Sequence, residues 1–402
     1  IKSTTCSSSL TRWTAPPEAG RWRGRPIGAA RPQPQTGPIV FMLQDAIDPA
    51  ALKRVLVIKL RHHGDVLLTS PVFTTLKRCA PQAELDALVY ADTAPMLRGH
   101  PALSQLFTID RHWKRAGRWA QLRHEWALFQ ALRARRYDLI VHLTDHNRGA
   151  TLARLLKPRW AVAPAGKTSR RFAKAFTHRY PVVGGNRRHT VELHLDALRR
   201  LGLHASAAER GLVLCPSAEA RQRVDAKLAA LGLPAGQFIH IHPTSRWLFK
   251  TWPTTHMAAL IDALTARGWP VLLTAAPDPA ELAMLADIQG RLARPVASLA
   301  GELTLEELGA ALQGARAFVG MDSVPMHMAA AVGTPTVALF GPSGDIEWGP
   351  WRTPHRVVRE DLPCRPCGRD GCGGGKLSEC LSLIAPARVL AALDELLQET
   401  GR

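Results

Sequence analysis

From Val55 onward the chain alternates short β-branched apolar runs with longer stretches of helical period. The run Val55 to Leu60 fits a buried parallel strand, and Arg61, His62, His63, Gly64 and Asp65 then lead into a helical segment reaching about Arg78. Further strands are expected near 85–90, 139–142 and 159–163, separated by helices, and a helix near 191–201 closes this half. A helix over 216–231 follows, then a linker marked by Gly232, Pro234 and Gly236. A second series begins at Phe238, with strands at 238–242, 271–275, 316–320 and 336–340 and helices at 254–267, 280–293 and 305–313. Thr304 and Glu307 have capping-box spacing for the last of these, and a final helix spans 386–399. Such alternation predicts an α/β chain of two doubly wound halves with a cleft at the carboxyl ends of their strands. The expected division is a tail 1–50, a first half 51–215, helix and linker 216–236, a second half 237–385 and a terminal helix 386–402.

A length of 402 residues suits two domains plus a tail, and a 46% hydrophobic, 21% charged composition excludes disorder of the whole chain. Residues 1–50 are rich in Ser, Pro, Arg and Gly without apolar period, and are expected to be disordered. Met42 is the only methionine before the first strand, so 1–41 reads as an upstream extension, with a basic tail of the functional protein as the alternative. The net charge of +19 favours nucleic acid, an anionic membrane surface or a phosphorylated substrate, without choosing among them. The longest apolar run, Met328 to Phe340, is broken by Gly333, Thr334 and Pro335 and falls short of the roughly 20 residues of a membrane span. Seven cysteines and no apolar leader segment predict a reduced, cytoplasmic chain, with attachment to a membrane face left open.

Three loops after successive strands of the second half carry candidate chemistry. Thr244, Ser245, Arg246 and Lys250 place hydroxyls and cations just past a strand, as phosphate oxygens require, although an N-cap threonine and an exposed lysine would look the same. Asp278 either binds ribose hydroxyls or caps the helix that starts at Pro279. Asp322, Ser323, Val324 and Pro325 precede a small-residue helix whose first N–H groups, at 323–325, would attract a diphosphate; His327 lies in its first turn. Ala161 to Thr168 mimics a relaxed Walker A loop but lacks the leading glycine and is dismissed. Cys364, Cys367, Cys372 and Cys380 begin with a Cys-x-x-Cys pair, yet their irregular spacing makes zinc a weak reading, and no metal is expected.

The runs "RVLVIKLRHHGDVLLTSPVFTTLK", "HPTSRWLFKTWP" and "GMDSVPMHMAAAVGTPTVALFGPSGD" together resemble glycosyltransferase family 9, the ADP-heptose:lipopolysaccharide heptosyltransferases. The variants Asp-Ser-Val-Pro and Leu-Phe-Lys-Thr-Trp look most like the heptosyltransferase III branch, and the likeness runs from about Leu52 to the C-terminus. It implies a GT-B fold of two Rossmann-like domains and an inverting transfer with no required cofactor. The donor, ADP-L-glycero-D-manno-heptose, would sit on the second half. Motif for motif, Thr244, Ser245 and Lys250 would hold the diphosphate, Asp278 the ribose, and Asp322, Ser323, Val324 and Pro325 the phosphate and sugar, with His327 nearby. The commoner Asp-Thr-Gly pattern is replaced here by Asp322, Ser323 and Val324. Asp65 would be the general base on the acceptor hydroxyl, where an N-cap role is the plain alternative.

The implied acceptor is the lipopolysaccharide core at the inner face of the cytoplasmic membrane, with the enzyme peripheral to it. Basic stretches around Arg111–Trp119, Arg133–Arg136, Lys167–Lys174 and Arg187–Arg188 fit an anionic acceptor, or are solvated helix faces. Another GT-B transferase or an epimerase using a different nucleotide sugar is the alternative activity. A nucleic-acid binder is disfavoured because no matching motif occurs.

Overall fold

The computed structural model describes residues 44–166 and 169–401, apart from the side chains of Lys114 and Ala116. The expectations for residues 1–43, and for Lys167 and Thr168 in the Walker-like segment, lie outside the described residues.

The first half forms a six-stranded sheet from β1 (Arg54–Ile58), β2 (Glu84–Tyr90), β3 (Gln105–Ile109), β4 (Leu139–His142), β5 (Trp160–Pro164) and β6 (His178–Tyr180). The second half repeats it with β7 (Ile239–His242), β8 (Val271–Leu273), β9 (Ala297–Ser298), β10 (Ala317–Met321), β11 (Thr336–Phe340) and β12 (His355–Arg359). Strand order is β3-β2-β1-β4-β5-β6 in one and β12-β11-β10-β7-β8-β9 in the other, which is the same order read from the opposite edge. Every strand pair is parallel. Both sheets are therefore doubly wound, and their order reverses between β1 and β4 and between β7 and β10, the two places where such sheets open a crevice for ligands.

The apolar runs explain the central strands. All four residues of β4 and of β7 and all five of β10 and β11 are buried, as expected where helices cover both faces of a sheet. The strands that the pattern did not announce, β3, β6, β9 and β12, are short or lie at edges. The sequence His-Arg-Val-Val-Arg of β12 is mostly solvated and reads as polar.

One helix differs from expectation. The segment 65–78 is two helices, His63–Leu67 and Ser70–Cys79. The break falls at Leu68–Thr69, where the Thr69 hydroxyl donates to the Val66 carbonyl at 2.6 Å and Pro71, without an N–H, opens the new helix. The helix Leu305–Gln313 carries both bonds of its capping box. Helix Ala218–Ala230 packs on Leu305–Gln313, and the last helix, Pro386–Glu399, lies against Thr254–Ala266, β11 and β12, so both belong to the layers of the second sheet.

The halves share apolar packing where helix His63–Leu67 meets helix Val324–Ala331, and Val66, Leu67, Met326, Met328 and Ala329 belong to one buried apolar cluster. At another edge the Trp351 indole N–H donates to the Arg210 carbonyl at 2.6 Å, with the His189 ring stacked on Trp351 at 4.2 Å. Among the described residues no helix is long and apolar enough to cross a membrane.

Candidate active site

Strand β1 ends at Ile58, and the next residue, Lys59, is buried at the first sheet's crossover. An ammonium has three donors and no acceptor. Its Nζ reaches Asp65 Oδ1 at 3.3 Å, the Leu143 carbonyl at 3.3 Å and His194 Nε2 at 2.9 Å. His194 Nδ1 lies 3.0 Å from the Leu68 carbonyl, which can only accept, so the ring proton is on Nδ1 and Nε2 is free to accept from Lys59. Burial pushes Lys59 down from the usual lysine range, and the neighbouring Asp65 carboxylate pulls it back up. Three acceptors for three protons favour the charged form and fix the carboxylate in one place.

Asp65 is not the helix cap. The N-cap residue is His62, and Asp65 sits inside the first turn with its side chain turned toward Lys59 and 21% exposed. The exposed part opens onto a cavity of about 820 Å³ between the halves, lined by Asp65 together with Ser245, Lys250, Asp278, Asp322, Ser323, Val324, Pro325 and His327. The approach is close: a methyl group at Gly64 would stand 3.0 Å from the His327 ring, tighter than ordinary contact, so the ring would have to give by a few tenths of an ångström. Burial pushes His327 down, with Asp322 and then Asp65 pulling it up, and the ring faces the cavity as neutral imidazole near neutral pH.

In the second half Lys250 Nζ lies 2.6 Å from Asp322 Oδ2. The loop holding Lys250 is pinned by Trp252, whose buried indole donates to the Ile384 carbonyl at 3.1 Å, and by the Ser378 hydroxyl, which donates to the Phe249 carbonyl at 2.6 Å. At the 322–325 turn one expectation needs correcting. Pro325 has no N–H, so the free donors at the start of helix Val324–Ala331 belong to Ser323, Val324 and Met326. The Ser323 hydroxyl and His327 Nδ1 are buried there without a partner. Unsatisfied buried polar atoms beside a cavity mark a place where a ligand completes the bonding.

Two residues of the donor set are placed differently from the rest. Thr244 is buried and does not line the cavity; its hydroxyl donates to Glu281 Oε2 at 2.6 Å and so holds the floor of the site. Asp278 lines the cavity but also caps helix Pro279–Arg291 by accepting from the amides of Ala280 at 3.0 Å and Glu281 at 3.3 Å. One carboxylate oxygen thus serves the cap, and both readings of this residue fit its position. None of the four clustered cysteines lines the cavity. Cys364, Cys367 and Cys372 are exposed, Cys380 is buried, and among the described residues no group of three or more His, Cys, Asp or Glu is placed to hold a metal ion.

A second cavity, of about 480 Å³, adjoins the first through His62, which lines both. Its walls come from the first half alone and include Arg61, Tyr90, Arg111, Trp113, Gln121, Glu125 and Arg148. Arg111 lies over the Tyr90 ring at 4.0 Å from its centre and Arg61 pairs with Asp145 at 3.2 Å. Two members of the basic stretches are engaged within the fold. Arg135 pairs with the buried Asp86 at 2.7 Å and Arg188 with Asp196 at 2.7 Å.

Residues 125–377 match glycosyltransferase family 9 (heptosyltransferase). The chain is 38% identical over 347 residues to lipopolysaccharide heptosyltransferase 3 of Escherichia coli, covering 84% of this chain and 97% of that one. The chain belongs to glycosyltransferase family 9. It is a glycosyltransferase, and its α/β architecture is that of the family: a family 9 glycosyl transferase from Veillonella parvula superposes with TM-score 0.75 at 24% identity, covering 88% of this chain and 99% of that one. The E. coli heptosyltransferase WaaC with ADP gives TM-score 0.67 at 21% identity, covering 85% and 99%. In this family 9 chain, sequence reasoning did not single out Lys59 or His194, nor Trp247 and Trp348, which also line the first cavity. Only Lys59 left a signal, as a cation at the end of an otherwise apolar strand.

Proposed function

We propose that the chain is an inverting heptosyltransferase that transfers heptose from ADP-L-glycero-D-manno-heptose to the inner core of lipopolysaccharide, in the manner of heptosyltransferase III, while peripheral to the inner face of the cytoplasmic membrane. The observation that carries this reading is a single cavity in which Asp65 of one half faces Lys250 and the 322–325 turn of the other.

The residues divide the work. Asp65 takes the proton of an acceptor hydroxyl as its oxygen attacks the heptose C1 from the face opposite ADP. The bond from C1 to the diphosphate oxygen breaks, and its electron pair leaves with ADP. Lys250 and the N–H groups of Ser323, Val324 and Met326 stabilise the charge that develops there, and the Ser323 hydroxyl gains the partner it lacks. The acceptor saccharide occupies the second cavity, which meets the first at His62, three residues before the base. Lys59 keeps the Asp65 carboxylate aimed into the gap.

Nucleotide choice tests the reading. Calorimetric titration is expected to show ADP binding at least about tenfold more tightly than UDP, a difference of about 1.4 kcal/mol. Lys250→Met is expected to weaken ADP by about 10–100-fold, the effect of losing one charge-assisted hydrogen bond. Equal affinity for the two nucleotides would transfer the assignment to a transferase or epimerase acting on another nucleotide sugar.

A further inference from the structure

The helix Arg118–Arg135 buries a single residue, Leu132, although it is 18 residues long. Its apolar side chains are not scattered. Trp119, Leu122 and Trp126 are 87%, 59% and 60% exposed, and their i, i+3, i+7 spacing puts them in one stripe. Phe129 continues the stripe half-buried, with its ring 5.7 Å from that of Trp126. Single exposed apolar residues are ordinary on a protein surface, whereas a continuous Trp-Leu-Trp stripe marks a contact surface.

Charge chooses the partner. The same helix carries Arg118, Arg123, Arg133 and Arg135 against Glu125 alone, and Arg118, Arg123 and Arg133 are exposed. Indole rings beside arginines suit the boundary between acyl chains and anionic headgroups, where the ring meets the apolar side and the guanidinium meets phosphate. The helix also borders the acceptor side: Gln121 and Glu125, about a third of a turn from the stripe, line the second cavity. We propose that Trp119, Leu122 and Trp126 dock this helix on an anionic lipid surface, with the flanking arginines on lipid phosphates. Docking there holds the mouth of the second cavity beside the bilayer, where a lipid-linked saccharide is presented. This inference rests on the peripheral association proposed above and names the surface that produces it.

The test is sedimentation of the full chain with vesicles of equimolar phosphatidylcholine and phosphatidylglycerol, and with phosphatidylcholine alone. Wild type is expected to bind the anionic vesicles, more weakly at high salt, and to bind neutral ones poorly. The variant Trp119→Ser, Leu122→Ser, Trp126→Ser is expected to lose at least tenfold in vesicle affinity while its melting temperature and its turnover of a lipid-free acceptor stay unchanged. Trp119→Ser alone, at the most exposed position, is expected to lose several-fold and guards against misfolding of the triple variant. Wild type that binds while both variants bind equally well overturns the assignment of this surface and leaves peripheral association standing. Wild type that ignores both vesicles overturns peripheral association and this inference together. A wild-type dimer that the triple variant dissociates, seen by light scattering, makes the stripe a contact between copies of the chain and likewise overturns the lipid assignment.

Discussion

Asp65→Asn is expected to lower the transfer rate by about 10²–10⁴-fold, the usual contribution of positioned proton transfer, and to leave ADP affinity within about twofold of wild type. The substitution keeps the shape of the side chain, and an amide oxygen can still accept from Lys59, so the short helix His63–Leu67 has no reason to move. What is lost is the capacity to accept a proton. Binding of ADP draws on the second half, through Lys250 and the 322–325 turn, and none of these bonds to Asp65. A fall in turnover with intact nucleotide binding and an unchanged melting temperature is therefore the signature of a base. Loss of ADP affinity in parallel with turnover would instead point to collapse of the cavity.

The second large effect is expected at Lys59. Lys59→Met keeps the bulk of the stem and removes the ammonium, leaving Asp65, His194 and the Leu143 carbonyl without their shared donor. The turnover number is expected to fall by about 10–100-fold, because a slightly misaimed catalytic group costs on that order, with little change in the Michaelis constant for the donor. Lys59 touches neither donor pocket nor acceptor cavity, so its effect should pass through Asp65. The double variant Lys59→Met, Asp65→Asn should then be no slower than Asp65→Asn alone, a strong departure from additivity. Independent, multiplying losses would show that Lys59 serves only to hold the fold together.

These residues also show where sequence reading succeeds and where it stops. The cavity-lining Gly64, Asp65, Lys250 and the Asp322–Pro325 run were legible because each lies in the loop or first helical turn that follows a strand whose apolar run is plain, and ligand chemistry in doubly wound sheets gathers there. Lys59 and His194 meet across 135 positions, and nothing in the chain between them announces that β1 and the helix Thr190–Arg199 converge. Thr244 and Ser245 are adjacent and chemically alike, yet one faces Glu281 and the other the cavity, a distinction set by side-chain direction that composition does not encode. The break between the helices at Thr69 did leave a mark, in Pro71, that the helical period masked. Strands β6, β9 and β12 escaped for a different reason. They are two to five residues long and take their pairing from strands already in place more than from their own pattern.

In the proposed reaction the two halves build one transferase site around Asp65 and a diphosphate pocket. Its most direct test is release of ADP from ADP-L-glycero-D-manno-heptose in the presence of truncated lipopolysaccharide core acceptors. Release is expected to require the acceptor, to match the heptose appearing on it, and nearly to vanish in Asp65→Asn. Absence of acceptor-dependent release by the folded wild-type protein, or release by Asp65→Asn at the wild-type rate, would contradict the proposed reaction.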